Sequence, residues 1–271
     1  MKPDHSRLPP APVTPGRFVR FAAIVDGAAR DAELLLKACR EERGRRHVHD
    51  LRVASRRLQA CLHLASALLP RETCRAARRA LADVLAALGR LRDATVQRQL
   101  ARERCSDLSD CARLDRLLAR RERHERKAAV AALRQVRLRR PLRAAVAALH
   151  ARDGSAGMDR RLEEAVRRVL LRDWERMRER WPHASADSAA FHRARVALKR
   201  YRYELETWAS LFRRRPARGT AALRLRQRQL GELHDDELLL ARVTKWVARG
   251  KLPPSLRHAL QFVVQRRAAR L

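Results

Sequence analysis

The chain has 271 residues, with 63 Lys and Arg against 30 Asp and Glu, a formal net charge of +33. No run approaches the roughly 18 consecutive apolar residues that a membrane span needs, and the start, MKPDHSRLPPAPVTPG, lacks the apolar core of a secretory signal. A membrane-spanning or exported protein is therefore not expected, whereas 46 % hydrophobic residues provide for a sizeable core. Only six of the basic residues are lysine (Lys2, Lys37, Lys127, Lys199, Lys245 and Lys251). A GC-rich genome accounts for that arginine bias but not for the charge excess. Such an excess repels itself unless anions neutralise it, so the expected partner is a polyanion: nucleic acid, polyphosphate, or an anionic membrane or granule surface.

In chain order, five of the eleven prolines fall within the first fifteen residues, so residues 1–16 read as a disordered Pro-rich arm. Long proline-free stretches rich in Ala, Leu, Arg and Glu follow, with nine glycines and Ile24 as the sole isoleucine. That composition predicts an all-α protein with long helices and no strands. The first four helices are expected over 17–42, 47–69, 72–104 and 110–139. A break follows near Pro141 to Gly157, and four more helices are expected over 159–180, 188–214, 220–249 and 254–270, with Asp110 and Thr220 as N-caps. The corresponding organisation is a first four-helix repeat at 17–140, a linker at 141–158 and a second four-helix repeat at 159–271. Five cysteines, Cys39, Cys61, Cys74, Cys105 and Cys111, are an odd number without a CxxC pair. They read as small core residues of a reducing cytoplasm rather than a disulfide framework or a metal site.

The most informative feature is self-similarity. His49-Asp50-Leu51-Arg52-Val53-Ala54-Ser55-Arg56-Arg57 matches His192-Arg193-Ala194-Arg195-Val196-Ala197-Leu198-Lys199-Arg200 as H-x-x-R-V-A-x-[RK]-R, offset by 143. Leu88-Gly89-Arg90-Leu91-Arg92-Asp93 matches Leu230-Gly231-Glu232-Leu233-His234-Asp235 as L-G-x-L-x-D, offset by 142. Two collinear matches at nearly one spacing indicate an internal duplication whose halves are related by a pseudo-twofold axis.

On a helix turning about 100° per residue, Arg52 falls about 60° and Arg56 about 20° from His49, on the same side, with Val53 and Ala60 flanking them. His192, Arg195 and Lys199 repeat the geometry, and Arg202 joins them at about 80° from His192. Each copy thus carries a narrow basic row beside an apolar seam. A pseudo-twofold would set the rows opposite one another across a groove or pore, an electrostatic trap for an extended anion. The candidate ligands are His49, Arg52, Arg56, Arg57, His192, Arg195, Lys199, Arg200 and Arg202. His49 and His192 read either as core histidines or, preferably, as phosphate donors in the row. Asp93 and Asp235 could orient the guanidinium groups or simply form helix-surface ion pairs, and an i, i+4 pair with Glu206 competes for Arg202. Gly89 and Gly231, each costing about 1 kcal/mol relative to Ala within a helix, suggest close packing or a kink.

At these residues the sequence resembles the CHAD family, the conserved histidine α-helical domains. The likeness rests on the four motifs in order, including Lys199-Arg200-x-Arg202-Tyr203-x-x-Glu206 in the second copy, and extends from about residue 17 onward. It implies two four-helix bundles with internal symmetry around a basic central channel, and binding of inorganic polyphosphate by the basic motif positions. It departs from the family pattern at Gln59 and His234, where arginine is usual. Some members carry a CYTH domain with an E-x-E-x-K signature. The nearest segment here, Glu204-Leu205-Glu206-Thr207-Trp208, lacks the lysine, so a stand-alone module is expected. Because some members are associated with polyhydroxyalkanoate granules, polyphosphate or polyhydroxyalkanoate granules count among the implied partners.

Three functions compete. A polyphosphate-binding module requires only converging basic rows and is the preferred reading, with a cytoplasmic location. A nucleic-acid-binding protein is the alternative. Aromatics are only 4 % of the chain and are not interleaved with the rows, which disfavours base stacking but leaves phosphate contacts open. An enzyme acting on phosphoanhydrides would require metal-binding carboxylates or a nucleophile beside the anion. The sequence shows no Walker loop, no HExxH and no acidic cluster facing the rows, so neither catalysis, nor a metal, nor a cofactor is expected.

Overall fold

A computed structural model describes residues 16–41, 45–105, 110–182, 188–211 and 218–269. The described residues form nine α-helices and no strand: α1 (Arg17–Arg40), α2 (Arg45–Leu64), α3 (Arg71–Arg104), α4 (Cys111–Gln135), α5 (Arg139–His150), α6 (Ala156–Arg180), α7 (Ser188–Leu211), α8 (Arg218–Val247) and α9 (Pro254–Ala268). The expected Pro-rich arm lies, but for Gly16, outside the described residues. No helix among the described residues is long and apolar enough to cross a membrane.

The sequence-based reading differs most around Pro141, where it expects a break. A turn at 136–138 ends the preceding helix early, and α5 starts at Arg139 with Pro141 in its first turn. A proline there loses nothing, because the first-turn N–H groups have no intrahelical acceptor. Beyond it, Leu142, Ala145 and Leu149 bury one apolar stripe. Asp110 precedes α4 but makes no side-chain capping bond, and α8 begins ahead of Thr220. Among the described residues, Ser155 caps α6 with its side chain, accepting from the Met158 amide. A second device joins distant parts of the chain. Asp159 of α6 accepts from the backbone amides of Arg17 (3.0 Å) and Phe18 (2.7 Å), closing the N-terminus of α1.

The largest core gathers α1, α2, α3, α5, α6 and the C-terminal end of α4 around Phe18, Phe21, Leu58, Leu81, Leu133 and Leu162. A second core joins the C-terminal half of α3 to α4, α8 and α9 through Leu100, Leu114, Leu118, Leu239 and Val243. A smaller one holds α6, α7 and α8 through Met177, Leu198 and Leu230. Helix α3, 34 residues long, therefore serves two cores. Helices carrying equivalent stretches of the repeat touch across the molecule: α2 packs on α7 and α3 on α8. That contact brings the two H-x-x-R motifs close together. Cys39, Cys61, Cys74 and Cys105 are buried free thiols within these cores, and Cys111 packs at the edge of the second.

Candidate anion-binding site

The apolar seams of α2 and α7 determine which polar residues can meet. Leu51 and Leu58 anchor α2, and Ala194 and Leu198 anchor α7, in the buried layer. The residues one position from each anchor, Arg52, Arg195 and Lys199, are drawn to the margin of the buried layer, and Arg56 is half-buried beside them.

Arg56 and Lys199, which are equivalent positions of the two copies, line one cavity of about 780 Å³ bounded by α2, α3 and α7. Behind them Arg52, Arg92 and Arg195 complete a cationic group. Lys199 is pushed down to about 7 by burial, then by Arg195, Arg56 and Arg92. Arg52 is lowered to about 10 by burial and by Arg56 and Arg92. Burial and the nearby Arg92 and Arg56 likewise lower Arg195, whose Nε is buried without a hydrogen-bond partner. Like charges in a partly dehydrated setting disfavour one another's protonation. An anion placed among them would reverse that penalty.

One carboxylate organises this group. Arg92 of α3 donates to both oxygens of Asp235 on α8, at 2.6 and 2.7 Å, joining the two L-G-x-L-x-D motifs. Burial alone would weaken the Arg92 charge, but Asp235 more than compensates and its pKa rises. Asp93 takes a longer contact from the same guanidinium, at 3.3 Å. Both aspartates therefore accept from Arg92 rather than from the rows on α2 and α7.

The remaining expected ligands are placed differently. His49 and Arg57 are exposed. Arg57 lies about 80° around the helix from His49 on the side away from Arg52 and Arg56, off the row. His192 is also exposed, its ring 6.0 Å from that of His234. Burial and Arg195 depress both rings, His234 to about 4, so both are neutral at physiological pH. Arg202 is held by Glu206 and Gln227 and stacks on Tyr203, 4.3 Å from the ring centroid. The i, i+4 pair thus takes Arg202. Tyr203 itself reaches the cavity wall, contrary to the expectation that aromatics stay apart from the rows.

Arg200 belongs to a separate buried cluster. Its Nε lies 2.8 Å from Asp173 of α6 and 3.2 Å from Glu204, and its terminal nitrogen donates to His63 Nε2. His63, Asp173 and Glu204 are 6 %, 3 % and 0 % exposed. Burial raises Glu204 to about 8, helped by the Asp173 charge. Burial would also raise Asp173, but His63 and Arg200 outweigh it and hold its carboxyl low. Burial lowers His63, while its contact with Asp173, 3.2 Å from Nε2, acts the other way; Arg172 lies 3.0 Å from the same nitrogen. The donor atoms of these three residues lie within 4.8 Å of one another, a metal-like spacing. The guanidinium of Arg200 contacts all three and supplies the cation there. The sequence reading finds no acidic cluster near the rows because Asp173 comes from a different helix.

Sequence reasoning also misses the opposite wall of the cavity. Arg71, Arg75, Arg78 and Arg79, from the first turns of α3, all line it. Their spacing, i, i+4, i+7 and i+8, is a helical-face pattern legible in the sequence. It lies outside the repeated motifs and so escapes a search guided by self-similarity. The two helical glycines yield a further correction. A Cβ built on Gly89 or Gly231 would meet no atom within 4 Å. Close packing is not what keeps them glycine.

The CHAD domain family model matches residues 23–244. The chain belongs to the CHAD domain family. Its fold is shared with the crystal structure of the CHAD domain from the plant Ricinus communis, at 23 % identity and a TM-score of 0.63, covering 99 % of this chain and 91 % of that one. It is also shared with PptA from Streptomyces chartreusis, at 18 % identity and a TM-score of 0.68, covering 94 % of each chain. No curated protein matches the sequence. In this CHAD domain, the repeated motifs supply Arg52, Arg56, Arg92, Arg195 and Lys199 to one cationic group, with Asp235 as its internal anchor.

Proposed function

We propose that this CHAD domain binds inorganic polyphosphate without transforming it, between the basic rows of α2 and α7. On this reading the two copies are pseudo-twofold-related bundles, and the cavity between their rows belongs to a basic channel. The carrying observation is that Arg56 and Lys199, equivalent positions of the duplicated motif, line the same cavity while Arg195 keeps a buried, unpartnered Nε beside them. Cations drawn from two copies, with no carboxylate ion pair to Arg56, Arg195 or Lys199 among the described residues, suit a ligand that carries the negative charge itself. A linear polyphosphate offers closely spaced oxygens along a narrow thread, which a row of guanidinium and ammonium groups can follow. The nearby acids support a binding role, because Asp173 and Glu204 are occupied by Arg200. The expected location is the cytoplasm, at polyphosphate or polyhydroxyalkanoate granules.

The test is a competition. Long-chain polyphosphate displaces double-stranded DNA from the protein at moderate salt. The reverse result, DNA that binds and resists displacement, overturns the reading and favours a nucleic-acid-binding protein. Turnover of polyphosphate with Mg²⁺ would make the protein an enzyme.

A further inference from the structure

The arginines that open α3 stand apart from the repeated motifs, yet they occupy the same cavity as Arg56 and Lys199. Taking Arg71 as the origin, Arg75 and Arg78 lie about 40° and 20° to either side. Continuing along the helix, Ala82, Leu85, Gly89 and Arg92 all remain within an arc of about 100° that also holds those three. One face of α3 thus runs from an arginine cluster, over short or apolar side chains, to the Arg92 that anchors the inner cationic group. Ala82 and Leu85 line the cavity opposite Arg56 and Lys199, so the partner helices supply the charge where α3 lacks it. Farther on, Gly89 faces open space for at least 4 Å from where a Cβ would stand. That leaves the helix surface clear on the approach to Arg92. A helix interior tolerates such a glycine only at a cost of about 1 kcal/mol relative to Ala.

The dimensions matter. The helix rises about 32 Å from Arg71 to Arg92, whereas Arg52 to Arg56 and Arg195 to Lys199 each climb only about 6 Å. A short oligophosphate can touch the inner group alone. A long chain seated there can continue along α3 and meet Arg75, Arg78 and Arg79 as well.

We infer that the arginine ladder at the start of α3 is a second anion-binding segment, which makes the site a track selective for long linear polyanions over short ones. This rests on the polyphosphate reading above and adds to it a basis for chain-length preference.

The experiment compares wild type with the Arg71→Ala/Arg75→Ala/Arg79→Ala variant in the full chain. The three side chains are exposed, and Arg75 pairs with the exposed Glu72 one turn away, so their removal leaves the core intact. Binding of long-chain polyphosphate and of tripolyphosphate is measured across a salt series. In the variant, long-chain affinity falls roughly tenfold and the dependence of log K on log salt becomes shallower by about 2 to 3, one unit or slightly less per lost contact. Tripolyphosphate, too short to span the inner group and the ladder together, loses no more than about twofold, and retained helicity reports an intact fold. The corresponding triple substitution to Lys retains most of the long-chain affinity. Unaltered long-chain affinity and salt dependence in the alanine variant would overturn the inference. So would an equal loss for both ligands, which would mean a diffuse field rather than a track. A wild-type protein that binds neither ligand overturns the polyphosphate reading itself.

Discussion

The two copies of the basic motif agree at their inner positions and diverge at their flanks. Arg52 and Arg56 on α2 correspond to Arg195 and Lys199 on α7, and all four share one like-charged group. Arg57 and Arg200 are equally equivalent in sequence, yet Arg57 is exposed while Arg200 is clamped between Asp173 and Glu204. The position matching Glu204 in the first copy, by the offset of 143, is Cys61, a buried thiol with no carboxyl oxygen to accept from a guanidinium. The second motifs diverge in the same way. Arg92 reaches Asp235 with two hydrogen bonds, while its counterpart His234 sits beside His192 and 3.9 Å from Glu237. The matching inner positions thus share a cationic centre, and the differing flanks supply carboxylates that hold its neighbours on one side.

The largest effect should come from neutralising the shared centre. Replacing Arg52, Arg56, Arg195 and Lys199 together by Gln keeps the side-chain stems but removes the charge. Polyphosphate affinity should fall by about a thousandfold, roughly 4 kcal/mol, with helicity and melting close to wild type. Unchanged affinity would show the inner equivalence of the copies to be irrelevant to binding.

The one-sided support comes next. Asp173→Asn leaves Arg200 without its closest carboxylate and should cost about 3 kcal/mol of stability, read by denaturant or thermal unfolding. Glu204→Gln should cost much less. Burial holds Glu204 at about 8, so the carboxyl is largely protonated at neutral pH and the amide mimics it. Removing the bridge between copies, Arg92→Met, should cost about 2 kcal/mol, and Asp235→Asn should match it if the bridge is the sole source of the effect.

A smaller effect separates Lys199 from Arg56. Unfolded Lys199 retains its proton up to about 10.5, while the folded residue releases it near 7. Between these limits the unfolded chain binds more protons, so this group makes the free protein more stable as pH rises from 7 to 10.5. Anion binding favours the protonated form. Affinity should therefore weaken severalfold from pH 6 to 8, up to about tenfold per unit for one proton, with proton uptake detected by calorimetry in buffers of different ionisation enthalpy. Lys199→Arg should flatten that dependence. The smallest effect is at the flank: Arg57→Ala should change stability by less than about 0.5 kcal/mol and leave polyphosphate affinity near wild type.

Legibility followed the range of the interactions. Ala, Leu and Arg-rich segments without internal proline dictate long helices through local propensity, and eight of the nine are visible in the sequence. The one missed, α5, carries a proline whose first-turn position is a matter of helix register rather than composition. The same holds at the site. Repetition and a 100° turn pick out Arg52, Arg56, Arg195 and Lys199, because neighbours along one helix face are set by its geometry. Arg57 fails that rotation, and the ladder at Arg71 to Arg79 satisfies it but lies outside the repeat.

By itself, then, the sequence determined the helical class, the recurrence of the two motifs, the cationic character and the inner faces of α2 and α7. Each of these follows from composition or from rotation about a single helix axis. Only the tertiary structure decided that Asp173 would claim Arg200, that Asp235 would claim Arg92 across the repeat, that Asp159 would close the start of α1, and that glycines 89 and 231 would face open space. Those outcomes depend on which helices come to lie side by side, and the ion pairs they bring within 3 Å join residues far apart in the chain.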